Sequence, residues 1–291
     1  MSRAARMRDN LRMVGDDTAE ALHRLMRRHT RANAHNRHLP RPDDHPTLGR
    51  NPPDSPAEMN DASLRRSNAV AGRRRAAATA VPVLIPPAMM VLFAQCNRRW
   101  GDRRGYRRAM LSYWAMCAVI PMVLAGPRPI AAVLRSPSRP LPKPRWLATV
   151  ALVLPPAGAI ATELAPQLRR TSARTGLTAV VVGVTNALAE ELLWRALPVA
   201  VFPDDPVRGW LMPAAGFTAW HFAPLSVRPH PRGRYPILAG AAMIGAGAGW
   251  IAWSTGSLRT VLAPHAITDS CGVRAAAAIW NRPQEADGRL R

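Results

Sequence analysis

Three short patterns of ionisable residues interrupt apolar stretches of the sequence: EELLWR (190–195), FTAWH (217–221) and HAITD (265–269). A charged side chain near the centre of a membrane helix costs at least about 2.5–3.5 kcal/mol on insertion scales. Such residues are therefore rare in apolar helices, and they commonly have a function. Carboxylates and imidazoles are groups that take and return protons. The patterns therefore indicate a site for proton-transfer chemistry.

The first pattern contains two acids with different surroundings. Glu191 and Arg195 are four residues apart, so they share a helix face and can form an ion pair that offsets part of the cost of burial. Glu190 points about 100° away around the helix and has no local partner. This carboxylate is the candidate proton acceptor, and a cluster of ions at a helix end is the alternative interpretation.

The other two patterns repeat the four-residue spacing. Phe217 and His221 share one helix face, and His265 and Asp269 share another. The carboxylate of Asp269 could orient the imidazole of His265 and select its tautomer. Each pattern alone is also consistent with a packing histidine or a His–Asp pair that braces a bundle. Because the three patterns lie on separate helices, they can converge in a bundle interior.

Apolar segments long enough for membrane helices must position these residues, since a span needs about 20 residues. The sequence predicts about seven, at 76–95, 109–126, 146–165, 176–202, 210–227, 236–253 and 258–280. We expect an all-α, polytopic transmembrane helical bundle. Residues 1–75 are predicted to be a disordered basic tail, because they are rich in proline and charge. Residues 76–145 would hold the N-terminal transmembrane segments, and 146–282 the bundle with the three patterns.

The formal net charge of +22 does not by itself indicate a nucleic-acid partner. Almost every basic residue is arginine, with Lys143 the only lysine, and the cations of the second half separate apolar segments as membrane-flanking residues do. Cys96, Cys117 and Cys271 form no CxxC or paired pattern, so neither a disulfide framework nor a zinc ribbon is expected. The predicted location is a bacterial plasma membrane, with multiple spans and lipid contacts and without nucleic acid.

The order of the motifs resembles that of the CPBP intramembrane proteases (CAAX proteases and bacteriocin-processing enzymes), which are also called Abi proteins. Their pattern is Glu-Glu-x-x-x-Arg, then Phe-x-x-x-His, then His-x-x-x-Asn or a variant. The resemblance covers about residues 176–280, and the three motifs here are 190–195, 217–221 and 265–269. It implies a membrane endopeptidase of the glutamate type that acts on a peptide or protein substrate.

Carried over by motif, the resemblance assigns roles to four side chains. Glu190 and His221 would activate a water, and His265, helped by Asp269, would stabilise the oxyanion. The supporting residues would be Glu191, Arg195 and Phe217. Many members carry Asn where this chain has Asp269. An ionised Asp269 cannot donate a hydrogen bond, so it must be protonated or must only orient His265.

Metal-free chemistry is the expectation that the resemblance favours, so no cofactor is predicted. The alternative is zinc held by Glu190, His221, His265 and Asp269, although the chain has no His-Glu-x-x-His motif. Two further functional alternatives remain open. The first is a proton-coupled transporter in which Glu190, His221 and Asp269 carry protons. The second is a catalytically inactive immunity or scaffold protein of the membrane.

Overall fold

A computed structural model describes residues 56–137, 139–230 and 233–280. Within these ranges every regular element is a helix, which confirms the predicted all-α fold. The chain divides into two compact units, Met1–Arg65 and Arg66–Arg291, and of the first unit only residues 56–65 are described. The predicted disorder of residues 1–55 and the predicted end of the bundle at residue 282 lie outside the described residues.

Nine α-helices make up most of the described chain. They are α1 (Pro56–Leu124), α2 (Pro127–Arg135), α3 (Arg145–Ala159), α4 (Ala173–Glu191), α5 (Leu197–Val201), α6 (Met212–Trp220), α7 (Phe222–Val227), α8 (Arg234–Thr255) and α9 (Arg259–Trp280). Helix α1 begins at Pro56, which lies before the predicted boundary of the tail at residue 75. From position 57 to position 81 the sequence contains no proline, so the backbone can continue as a helix without interruption.

Helix α1 is two helices separated by a sharp reversal at Gly101. This glycine has φ 70° and ψ 174°, a conformation that L side chains rarely adopt. The reversal brings the Cα of Gly105 against the backbone of Cys96, because a Cβ at Gly105 would lie 2.5 Å from the Cys96 carbonyl oxygen. In a straight helix these positions would be about 13 Å apart. The two halves therefore correspond to the predicted segments 76–95 and 109–126.

In the part of the chain that the structure describes, three single turns of π-helix interrupt the α-helices, at Ile160–Leu164, Leu192–Ala196 and Val207–Leu211. Each turn ends two residues before a proline. Proline has no N–H to donate, and its ring crowds the carbonyl four residues earlier. The preceding turn therefore widens to the i→i+5 hydrogen bonds of a π-helix. The second of these turns directly follows the two glutamates of the first motif and contains Arg195.

Helix α4 has its large apolar side chains on the outside and its small residues on the inside. The exposed residues are Leu177, Val180, Val181, Val184 and Leu188, which recur at helical spacing. The buried face contains Gly176, Ala179, Gly183 and Ala187. In water such an apolar outer stripe would be unfavourable, whereas in a bilayer small residues belong at helix–helix contacts and large apolar residues face lipid. The pattern is that of a membrane helix.

Among the described residues, four helical stretches are long and apolar enough to cross a membrane: Asn68–Leu124, Arg145–Arg169, Ala173–Val201 and Arg234–Thr255. They cover five of the seven predicted segments, because the first stretch contains two of them. The predicted segment 210–227 is instead divided among a π-turn and the short helices α6 and α7. The segment 258–280 forms α9, whose charged residues lower its hydropathy. The chain is a multi-pass membrane protein, and its described part contains fewer long apolar helices than expected.

Helices α4 and α9 pack extensively against each other. Gly183 of α4 allows this close approach, since a Cβ there would lie 2.5 Å from the backbone nitrogen of Ser270. The first motif is on α4, and the third is on α9. Their packing therefore places both motifs in one buried region.

Candidate active site

His265 lies at the centre of a buried cluster of carboxylates. Its Nδ1 is 2.8 Å from Oε1 of Glu191, and its Nε2 is 3.3 Å from Oε2 of Glu190. Nε2 is also 3.5 Å from Oδ1 of Asp269. Glu190, Glu191 and His265 are almost completely buried. An imidazole with carboxylates at both nitrogens is best satisfied as the cation, which donates from each of them.

Glu191 is held by two cations. Arg195 approaches its Oε1 to 3.2 Å, and the same oxygen faces His265. The guanidinium of Arg195 also donates to the carbonyl of Ile244 at 3.2 Å and lies 4.2 Å from the centre of the Phe217 ring. The structure therefore adds His265 to the Glu191–Arg195 pair that the four-residue spacing predicted.

Charge balance distinguishes the remaining carboxylates from Glu191. The cluster contains three carboxylates but two cations, Arg195 and the His265 imidazolium, and both cations contact Glu191. Glu190 and Asp269 share only the second nitrogen of His265. One negative charge is therefore not neutralised by a full ion pair. A buried carboxylate of this kind is well suited to accept a proton.

His221 belongs to the same region but has a different environment. Its Nδ1 is 2.8 Å from the carbonyl oxygen of Phe217. A carbonyl only accepts, so Nδ1 carries a proton, and when the ring is neutral Nε2 is the nitrogen that can accept a hydrogen bond. The Phe217 ring packs against both imidazoles, with centroids 4.9 Å from His221 and 5.7 Å from His265. His221 also interacts electrostatically with Glu190.

Two side chains outside the predicted set form hydrogen bonds with the carboxylates of Glu190 and Asp269. The Tyr113 hydroxyl lies 3.2 Å from Oε1 of Glu190, and Nδ2 of Asn186 lies 2.8 Å from Oδ2 of Asp269. Asn186 precedes Glu190 by four residues, so the spacing rule used for the other motifs could have identified it. Tyr113 has no such signal, because it comes from α1 and is 77 positions away from Glu190.

A metal ion has a partial ligand set here. Ligand atoms of Glu190, His265 and Asp269 all lie within 4.8 Å of one another. His221, the fourth ligand of the zinc alternative, is not part of this group among the described residues. This set offers one nitrogen and two oxygens, and zinc sites commonly use more nitrogen ligands than that. A metal at Nε2 would also require His265 to lose the proton that Glu190 and Asp269 face.

The fold and the site together define a class: a multi-pass membrane protein whose helices enclose a cluster of carboxylates and imidazoles. Residues 173–271 match the family model described as "Type II CAAX prenyl endopeptidase Rce1-like". This match confirms the motif-based resemblance to the CAAX proteases over that segment of the chain. No curated protein and no solved structure matches the chain.

Proposed function

We propose that this protein is an intramembrane endopeptidase in which Glu190 is the general base. The observation that carries the proposal is the buried contact between Oε2 of Glu190 and Nε2 of His265, at 3.3 Å. It joins a carboxylate without a full ion pair to an imidazole that can donate a hydrogen bond. Peptide hydrolysis needs a base for water and a donor for the oxyanion. The family match of residues 173–271 supports this reaction class.

The proposed first step uses Glu190 and His221. Glu190 removes a proton from a water, and the water oxygen forms a bond to the scissile carbonyl carbon. In the neutral form of His221, whose Nδ1 proton faces the Phe217 carbonyl, Nε2 accepts the second hydrogen bond of that water and so orients it. Positioned general bases contribute about 10²–10⁴-fold to a rate.

The second step uses the imidazolium of His265. The N–H at Nε2 of His265 donates to the oxyanion that forms on the carbonyl oxygen. When the tetrahedral intermediate collapses, the C–N bond breaks, and the proton held by Glu190 passes to the leaving amine. Asp269 accepts from Asn186 and lies beside Nε2 of His265, so its role here is to orient the imidazolium. An acidic residue at this position is therefore compatible with hydrolysis.

The proposal requires no metal, since the proton acceptor and the oxyanion donor are both side chains of this chain. Membrane lipid is the expected environment, and the bacterial plasma membrane is the proposed location. The exposed apolar stripe of α4 supports the lipid contact.

The experiment that tests the function is peptide cleavage by the full chain, purified in detergent. The protein is incubated with a mixed peptide library, and new termini are identified by mass spectrometry. We expect cleavage by wild type and a rate about 10²–10⁴-fold lower for Glu190→Gln. Glu163→Gln is the matched control, because Glu163 is another membrane-segment carboxylate and has a different histidine neighbour, His230, at 3.9 Å. It should retain the wild-type rate.

Two results would contradict the proposal. The first is a Glu190→Gln variant that cleaves as fast as wild type. The second is the absence of cleavage by wild type together with proton flux in liposomes, which would favour the transporter alternative. Peptide binding without cleavage or proton flux would favour the alternative of an inactive scaffold protein.

A further inference from the structure

Two chains of hydrogen bonds lead from tryptophan side chains to the carboxylates beside His265. In the first, Nε1 of Trp194 lies 2.8 Å from the Tyr113 hydroxyl, which lies 3.2 Å from Oε1 of Glu190. In the second, Nε1 of Trp114 lies 2.7 Å from Oδ1 of Asn186, whose Nδ2 lies 2.8 Å from Oδ2 of Asp269. Each chain therefore ends on one oxygen of a carboxylate.

The direction of the first chain follows from the chemistry of the indole. An indole N–H can only donate, so the Tyr113 oxygen accepts from Trp194. The hydroxyl proton of Tyr113 is then available for Glu190. Tyr113 is fully buried, and its ring stacks on Trp220 with a centroid distance of 3.9 Å. The hydroxyl is therefore held where it can donate to Glu190 and to no solvent.

The direction of the second chain is determined in the same way. Because Trp114 donates, the Asn186 atom that it contacts must be the carbonyl oxygen. The amide nitrogen then faces Asp269 and donates to it. Asp269 is thus held as an acceptor at Oδ2, and its other oxygen, Oδ1, faces His265.

The two chains have the same effect on their carboxylates. Each occupies one oxygen with a donor, and each leaves the other oxygen facing Nε2 of His265, at 3.3 Å for Glu190 and 3.5 Å for Asp269. A carboxylate held at one oxygen cannot rotate freely. Partners that orient metal ligands typically change activity by about 10–100-fold when removed, and we expect the same range for partners that orient these carboxylates.

We propose that Tyr113 and Asn186 are positioning residues for the proposed hydrolysis, and that each orients one carboxylate toward His265. Tyr113 and Trp114 are consecutive residues of α1 and lie outside the segment 173–271 that matches the family model. The working site therefore extends beyond that segment and needs the second half of α1. This inference rests on the proposed function.

The test compares variants that remove one hydrogen bond and keep the ring. Tyr113→Phe removes the donor to Glu190, and Trp114→Phe removes the N–H that orients Asn186. For Tyr113→Phe we expect kcat to fall about 10–100-fold with little change in KM, because a positioning residue acts on the reacting groups. Trp114→Phe should also lower kcat with little change in KM. Trp210→Phe is the control, since its N–H donates to the backbone carbonyl of Ala246, and it should keep the wild-type kcat.

A double variant separates positioning from simple bracing of the helices. In Asn186→Asp with Asp269→Asn the amide and the acid exchange places, so one hydrogen bond between α4 and α9 is kept while the carboxylate leaves the position beside His265. We expect the double variant to unfold in detergent at a temperature close to that of wild type and to have a kcat well below that of wild type. Recovery of kcat in the exchanged variant would overturn the proposal, because it would show that only the link between helices matters.

The outcomes also separate this inference from the proposed function. If wild type cleaves and Glu190→Gln does not, but Tyr113→Phe and Trp114→Phe keep the wild-type kcat, the positioning role is refuted and the function stands. If wild type does not cleave peptides, both are refuted. Thermal unfolding of each variant in detergent shows whether a lost rate comes from unfolded protein.

Discussion

Replacement of Gly183 by alanine should lower activity much more than it lowers stability. The new Cβ would lie 2.5 Å from the backbone nitrogen of Ser270 and 2.6 Å from its Cα, whereas ordinary contact begins at 3.4 Å. The Ser270 hydroxyl oxygen also lies 2.5 Å away, but the backbone atoms cannot rotate aside, so α9 must move away from α4 by roughly 0.9 Å. A misplacement of about 1 Å can cost 10²-fold in rate. Ser270 adjoins Asp269, so the displacement reaches the site directly.

The expected change in stability is smaller because two effects oppose each other. Overpacking costs about 1–3 kcal/mol, and alanine recovers about 0.5–1 kcal/mol over glycine within a helix. The net loss for Gly183→Ala is therefore about 0–2.5 kcal/mol. Thermal unfolding in detergent measures this loss, and the initial rate of cleavage of a peptide identified from the library measures the activity.

Gly272→Ala is the matched control for this prediction. Gly272 is also on α9, but a Cβ there would have no heavy atom within 4 Å. We expect this variant to cleave at the wild-type rate. Wild-type activity of Gly183→Ala, or equal loss in both variants, would refute the argument that close packing of α4 on α9 sets the geometry of the site.

Two further predictions concern the ion pairs and the metal. Arg195→Met should destabilise the fold by about 3–5 kcal/mol, because it leaves Glu191 buried with one cation fewer; thermal unfolding in detergent measures this. Arg208→Ala, which breaks the solvent-exposed pair with Asp205, should unfold like wild type, and equal effects of the two changes would be inconsistent with the burial argument. Prior incubation with a chelator should leave the cleavage rate unchanged, whereas a lost rate that zinc restores would favour the metal alternative.

The parts of the site that lie within one helix could be predicted from the sequence. The Glu191–Arg195 pair follows from four-residue spacing alone, since that geometry is the same in every α-helix. The contact of Phe217 with His221 follows from the same rule. The convergence of α4 and α9 was expected because ionisable residues of membrane helices face a bundle interior.

Contacts between distant segments could not be predicted in this way. The contact of Glu191 with His265 joins residues 74 positions apart and depends on how closely α4 and α9 approach. Tyr113 reaches Glu190 only because the chain reverses at Gly101 and returns the second half of α1 to the bundle. The number of long apolar helices was also overestimated, since hydropathy does not show that residues 210–227 form short helices joined by a π-turn.

The arrangement of Glu190 and two imidazoles around one water is most directly tested by an experimental density map of the protein at a resolution that shows ordered water. We predict a water within about 2.6–3.2 Å of both Oε2 of Glu190 and Nε2 of His221, with His265 beside the same carboxylate. A Glu190 side chain that faces the acyl chains, or that lies away from both histidine rings, would contradict the mechanism.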